Sequence, residues 1–379
     1  MLHPRHGARR RGRGLPLVTA EHPEQEDTPT SARLVGVGTA VPPVSYSQPE
    51  LLELFGVSDP VIRSVFLNSA IERRGLTLPT PLPGGPGDAE TQGELLAKHT
   101  REGLRMGREA VLACLADAGR EVTDVRHLCC VTSTGFLTPG FSALLLKDMG
   151  VSTTCSRLDV VGMGCNAGLN ALSAVAAWSR CHPGELAVMV CIEVCSAAYV
   201  FDGTLRTSVV NSLFGDGAAA VAVISGAPDP VSSGPRLLRF ASRTIPEAVD
   251  AMRYDWDDDR HRFSFGLDPQ VPYVVGAHAE ESLGRLLDGT GVRRSEVSHW
   301  VVHAGGKKVV DSVRVNLGLS RHDVRHTIGV LRDHGNLSSG SFLFSYQRLA
   351  REGGVTEGDV GVLMTMGPGS TVEMALARW

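Results

Sequence analysis

The sequence predicts an α/β protein built as two similar halves around buried central sheets. Three observations carry this. Short β-type runs alternate with runs of helical period from residue 32 to the C-terminus. Several strand-like runs, such as "VRHLCCVTSTG" and "ELAVMVCIEVCS", are apolar on both faces, as strands covered on both sides are. The alternation starts afresh after Pro235, with no detectable identity between the two stretches. With 379 residues, 42% hydrophobic and 21% charged, and 43 glycines, the chain suits one large or two fused domains.

Taken in order, the first thirty residues stand apart. "RHGARRRGRGLPL" is basic and "EHPEQEDTPT" is acidic and proline-bearing. Arg9, Arg10 and Arg11 lack the apolar stretch that an export signal needs, so residues 1–31 are expected to be a disordered extension or the product of an early start codon. "ARLVGVGTAVPP" is a strand stopped by Pro42 and Pro43. "PTPLPGGPGDAETQG" at 79–93 reads as a surface loop, and "REGLRMGREAVLACLADAG" as a helix. "SLFGDGAAAVAVIS" is a glycine turn running into a strand. Beyond Pro235, "HWVVHAGG" is a strand ending in glycines, "KKVVDSVRVNLG" a helix, and "GDVGVLMTMGPGSTVEMALAR" a strand pair broken at "GPGS". The expected division is 32–234 and 235–379.

Composition excludes some partners. A net charge of −4 gives no reason to expect nucleic acid or a membrane surface, and no uncharged apolar run is long enough to span a bilayer. The eight cysteines sit mostly inside apolar runs and read as reduced core residues. No CxxC pair has a second pair to complete a metal site. "DWDDDRHR" (255–262) reads as an exposed acidic turn rather than a metal site.

The stretch "LDVVGMGCNAGLNALSAVAAW" places Cys165 at a strand-to-helix corner among Gly162, Gly164 and Gly168. Unpaired N–H groups and the positive end of the helix dipole favour the thiolate there, and the thiolate is the nucleophile. Gly164 would let a reacting carbonyl approach the backbone. A buried inert cysteine is the competing reading, so partners are needed. His303 ends the apolar run "HWVV" directly before "AGG". Asn336 lies in the polar segment "RDHGNLSSGSF". The bland alternative for Asn336 is a turn cap.

These residues carry a resemblance. Cys165 in "GCNAG", His303 in "HAGG", Asn336 in "GNLSSG", together with "LFGDGAAA" and "GPGSTVE", resemble the type III polyketide synthases, relatives of chalcone synthase on the thiolase fold. The match runs over roughly residues 32–379. The texture of "FLNSAIERR", "VGMGCNAGLNAL" and "GTLRTSVVNSLFGDGAAA" is most similar to the bacterial 3,5-dihydroxyphenylacetyl-CoA synthases of glycopeptide-antibiotic pathways. The resemblance implies a duplicated αβαβα arrangement of five layers, with Cys165 in the first half and His303 and Asn336 in the second. It implies decarboxylative Claisen condensation of four malonyl-CoA on the cysteine and ring closure to an aromatic CoA ester. No cofactor is implied beyond CoA esters as substrates and product.

Other roles follow from matched positions. Phe214 and Phe265 stand where the family places two gate phenylalanines, with core packing as the alternative. Cys195, Ala198 and Ser338 stand where the family lines its cavity. Around "SVFLNSAIERRG" the plant enzymes carry basic residues for the CoA phosphates. Asn68 and Ser64 stand at such places here, leaving Arg63, Arg73 and Arg74 as substitutes, with solvated surface charge as the alternative for Arg73 and Arg74. His303 and Asn336 would stabilise an enolate, and His303 would hold Cys165 as thiolate in an ion pair. A cytoplasmic homodimer meeting through Thr132 to Gly140, with enoyl-CoA hydratase-like pathway partners, is implied by the family alone. Competing readings are a synthase with another product, such as tetrahydroxynaphthalene or pyrones, and a ketoacyl synthase III-like enzyme. The latter typically reads "HQAN" where this chain reads "HAGG".

Overall fold

The computed structural model describes residues 31–79, 90–226 and 234–379. All but the last residue of the expected 1–31 extension, most of the expected 79–93 loop and the residues before the expected 234/235 boundary lie outside the described residues. The earlier part of the chain supplies strands β1 (Ala32–Ala40), β2 (Ser45–Ser47), β3 (Arg73–Gly75), β4 (Val125–Thr132), β5 (Ser156–Val161), β6 (Leu186–Glu193) and β7 (Gly217–Ile224). Its helices are α1 (Gln48–Leu54), α2 (Pro60–Leu67), α3 (Gln92–Asp117), α4 (Phe141–Met149), α5 (Ala167–Cys181) and α6 (Leu205–Asn211). The later part supplies β8 (Arg236–Thr244), β9 (Met252–Asp257), β10 (Arg262–Leu267), β11 (Val297–Val302), β12 (Val360–Gly367) and β13 (Thr371–Arg378). Its helices are α7 (Val271–Leu287), α8 (Lys307–Asn316), α9 (Arg325–His334) and α10 (Ser341–Glu352).

The duplication is visible in the pairing. In the order β5-β4-β6-β7-β1, strand β4 runs parallel to both neighbours and the remaining pairs are antiparallel. The order β11-β12-β13-β8 repeats it, with β11 parallel to β12 and the other pairs antiparallel. The two sets join where β1 meets β8, over only Ala32 with Leu237 and Arg33 with Arg236. The sequence predicts central sheets; the structure links them into one nine-stranded sheet through this narrow seam.

Helix α3 lies on β1, β6 and β7, and α7 lies on β8 and β13. Helices α5 and α10 each touch strands of both sets. The result is helix, sheet, helix pair, sheet, helix. Period-2 alternation explains why the strands have no polar face. Along β6, Ala187, Met189 and Cys191 enter the core shared with α5 and α10, while Val188, Val190 and Ile192 enter the core beneath α3. Along β13, Ala375 and Ala377 face the shared core, and Val372, Met374 and Leu376 face the core beneath α7. All eight cysteines are free, and six are buried.

Helix α3 begins earlier than its periodicity suggests. Thr91 caps it: its hydroxyl accepts from Glu94 N at 3.3 Å and the Glu94 carboxylate accepts from Thr91 N at 2.8 Å. The "DWDDDRHR" stretch, expected as an exposed turn, is one only at 258–261: Asp255 to Asp257 end β9, Arg262 opens β10 and is buried, and Asp257 accepts from Arg260 across the turn. No helix among the described residues is long and apolar enough to cross a membrane.

Because the central core takes residues from both strand sets, they are expected to unfold together. Leu172→Ala, at a fully buried site on α5, should lower stability by about 2–5 kcal/mol. In chemical denaturation it should shift a single transition, and a two-step curve in which one step stays fixed would contradict the shared core.

Candidate active site

Cys165 lies in the single turn Gly164–Asn166, between β5 and α5. Gly164 has φ +70°, a left-handed conformation that favours glycine. Its missing side chain does not leave room for a reacting carbonyl, as the sequence suggested. A Cβ there would lie 2.2 Å from Pro368 Cδ, so the space belongs to the turn after β12. One helical turn on, a Cβ at Gly168 would fall 2.3 Å from Ser339 O. The start of α5 therefore touches the segment that opens α10, and this brings Cys165 to residues far along the chain.

That segment, Gly335 to Ser341, looks like a solvent loop in sequence and is an interior structure. Asn336, Ser338, Ser339 and Ser341 are all buried. Asn336 Oδ1 accepts from Ser338 N at 2.8 Å and Ser341 Oγ at 3.3 Å. This fixes which end of the amide carries the donors. Its Nδ2 donates to Gly305 O at 3.4 Å and also favours charge on Cys165. Ser338 adopts φ +48°, a conformation costing of order 1–3 kcal/mol for a non-glycine residue. The Cys165 thiol points at Ser338 Oγ, 3.7 Å away.

His303 follows β11, its N–H donating to Met364 O at 2.8 Å. The ring is buried, and Nδ1 has no hydrogen-bond partner. Burial pushes the imidazole down to about 3. Burial likewise pushes the Cys165 thiol up to about 12; the Ser338 hydroxyl pulls it down, the Glu193 carboxylate adds to the rise and the Asn336 amide opposes it. Burial thus favours a thiol and a neutral imidazole, and opposes the ion pair that the sequence reading expected. A neutral imidazole can accept the thiol proton, and a primary amide can donate to a developing oxyanion.

Phe214 and Phe265 meet edge to face at 6.2 Å. Tyr199 packs on both, at 4.4 and 5.3 Å, and Tyr254 lies 5.1 Å from Phe265. Cys195 is buried in the same cluster, with Ala198 and Cys165 against it. A small cleft opens beside the rings, lined by Ala198, Tyr199, Val210, Arg262, Phe263 and Phe265 among others. The two tyrosines were not singled out in the sequence; their only signal was an aromatic in each of two segments otherwise read for other features.

Glu193 was also missed. It is fully buried at the end of β6, accepting from Ser133 N and Thr134 Oγ1 at 3.0 Å and from Ser339 Oγ at 2.5 Å. Burial raises it to about 7 despite these donors. Its signal was a lone acid in the apolar run "AVMVCIEV". The basic residues divide. Arg63 is exposed, donating to Val57 O at 3.0 Å. Arg73 is exposed, donating to Ser45 O at 2.7 Å and lying 3.6 Å from Glu50. Arg74 is neither solvated nor at the surface, being 1% exposed.

Comparison with known proteins follows the same lines. Residues 91–229 match the N-terminal domain, and residues 239–378 the C-terminal domain, of the chalcone and stilbene synthases. A 3,5-dihydroxyphenylacetyl-CoA synthase of Amycolatopsis orientalis is 68% identical over 92% of this chain and 93% of that protein. One from Streptomyces toyocaensis is 65% identical over 93% and 91%. The solved structure of 1,3,6,8-tetrahydroxynaphthalene synthase from Streptomyces coelicolor superposes with a TM-score of 0.82 at 30% identity, covering 92% of this chain and 99% of that one.

Reactivity of Cys165 tests these electrostatics. Removing the Ser338 hydroxyl takes away a donor that favours the thiolate, so Ser338→Ala should slow iodoacetamide alkylation of Cys165 near pH 7.5. A hydrogen bond worth about 1 kcal/mol makes this about fivefold. Glu193→Gln removes a neighbouring negative charge and should speed alkylation. Equal rates in all three proteins would show that neither group acts on the thiol.

Proposed function

The chain belongs to the chalcone and stilbene synthase family, and on that premise we propose that it condenses four malonyl-CoA and releases 3,5-dihydroxyphenylacetyl-CoA, a precursor for antibiotic biosynthesis. The observation that carries the product is the 65–68% identity to synthases of that name, against 31–33% to tetrahydroxynaphthalene synthases. The same comparison disfavours the other products weighed from the sequence.

In this reading Cys165 gives its proton to neutral His303 as substrate arrives, and the thiolate attacks a malonyl thioester with loss of CoA thiolate. Loss of CO2 from a malonyl thioester leaves its electron pair as an enolate. The oxyanion takes hydrogen bonds from the His303 ring and Asn336 Nδ2, each worth roughly 3–4 kcal/mol by analogy with oxyanion-hole donors. The enolate carbon attacks the Cys165 thioester and expels the thiolate, lengthening the chain. The buried aromatic wall of Phe214, Phe265 and Tyr199 keeps water from the reactive polyketide. Cys195, Ala198 and Ser338 are assigned to the cavity that holds it. Arg63 and Arg73, exposed and tied to backbone carbonyls, are assigned the CoA phosphates. A homodimer and the expected pathway partners belong to this proposal.

The test is mass spectrometry of products from the purified protein with malonyl-CoA alone. A dihydroxyphenylacetyl product, absent with Cys165→Ala, is expected. Pyrones or a naphthol would retain a polyketide synthase and reject the product. Turnover only with an added carrier protein would favour the ketoacyl synthase reading.

A further inference from the structure

Arg74 stands in "IERRG", among the arginines first considered for CoA. Its guanidinium has other partners. Nη1 donates to Phe214 O at 2.5 Å and Nη2 to Gln48 Oε1 at 3.2 Å. Gln48 in turn donates from Nε2 to Ser212 O at 2.7 Å and Ser69 Oγ at 2.8 Å. Arg74 and Gln48 of α1, bonded to each other, thus hold the backbone of residues 212–214 at one carbonyl each.

The held segment is bonded to the candidate amide. Phe214 and Asn336 form an isolated parallel bridge, with Gly215 N donating to Asn336 O at 3.0 Å and Asn336 N donating to Leu213 O at 2.8 Å. The arginine stem fills the angle between the two strands of this bridge. A Cβ at Gly215 would stand 3.2 Å from Arg74 Cβ, and one at Gly335 would stand 3.3 Å from Arg74 Cδ. Strand β3 secures the stem, since Asp216 N donates to Gly75 O and Glu72 N donates to Arg332 O, both at 2.8 Å.

A buried cation is costly, and well-packed apolar residues often replace such groups without loss of stability. Among the described residues Arg74 makes no ion pair; Asp216 and Cys195 lie near enough to favour its charge but do not bond it. Its donors reach backbone carbonyl and amide oxygen, which is a positioning arrangement rather than a ligand contact. We propose that Arg74 is a positioning residue of the condensation site. It fixes the Phe214 carbonyl and, through the Phe214–Asn336 bridge, the aim of the Asn336 amide at the Cys165 centre. This rests on the condensation chemistry proposed above.

The experiment compares malonyl-CoA decarboxylation by the wild type, Arg74→Met, Arg74→Lys and Gln48→Leu, with melting temperatures alongside. A misplacement of about 1 Å costs about 100-fold, so Arg74→Met should lose about tenfold to 100-fold in kcat with KM within about threefold. Arg74→Lys keeps a charged donor for the Phe214 carbonyl and should recover most of that loss. Gln48→Leu, which loosens the guanidinium without touching the site, should lose less than Arg74→Met. If Arg74→Met does not fold, the same kcat-against-KM split in the other two variants decides. A folded Arg74→Met with wild-type kcat overturns the inference. So does a raised KM at unchanged kcat, which would make Arg74 a CoA contact, or a Lys variant no better than Met. A wild type that releases no CO2 from malonyl-CoA is seen before any variant is made and overturns the function itself.

Discussion

The close approach of α5 to the segment that opens α10 is the contact on which the rest of the structure depends. The two strand sets share only a two-pair seam, so their relative placement is left to the helix pair packed between them. That pair meets where Gly168 has no side chain and Ser339 O takes its place. Cys165 precedes one helix start, and Asn336 and Ser338 precede the other. The duplicated fold brings Cys165 and Asn336 together because the two helix starts meet in the same layer. The shared core of alanines, leucines and phenylalanines around them keeps that meeting point rigid.

Burial sets the chemistry of what meets there. The same water exclusion that drives Cys165 and His303 to neutral forms also strengthens every hydrogen bond made to a charge developing during reaction. The polar groups are supported from behind. Glu193 ties β6 to Ser339 and to the turn after β4, while Arg74 and Gln48 tie the Phe214 loop to α1. Arg74 reaches the site through the Phe214 carbonyl and Glu193 through the Ser339 hydroxyl, so both supports stand behind the groups that face the cavity. Strain is confined to a few points such as Ser338, whose left-handed backbone turns its hydroxyl toward the thiol.

Much of this was legible in the sequence, and what was not has a common cause. Strands β4, β6 and β12 announced themselves because both faces are covered, so their apolar runs are unbroken. Cys165, His303 and Asn336 were visible through their glycine settings. Hydrophobic period tells that a face is covered without telling by what, so the seam joining the sheets was hidden. Polar residues satisfied by distant partners look like solvent loops. The serine-rich segment 336–341 was read as a polar loop and is interior, and Arg74 was read as a phosphate contact or surface charge and is buried. Glu193 needed the fold to reveal its donors. The ion pair expected between Cys165 and His303 is opposed by burial of both groups, which the sequence did not show.

The central claim is that Cys165 carries the growing chain in a site assembled from both halves. The most direct measurement is peptide mass spectrometry of the protein quenched in acid during turnover with malonyl-CoA. The account expects acyl adducts confined to the peptide bearing Cys165, lost in Cys165→Ala, and slower to appear in Asn336→Ala. Adducts on another cysteine, or product formation with no acylated Cys165 peptide at any time, would contradict it.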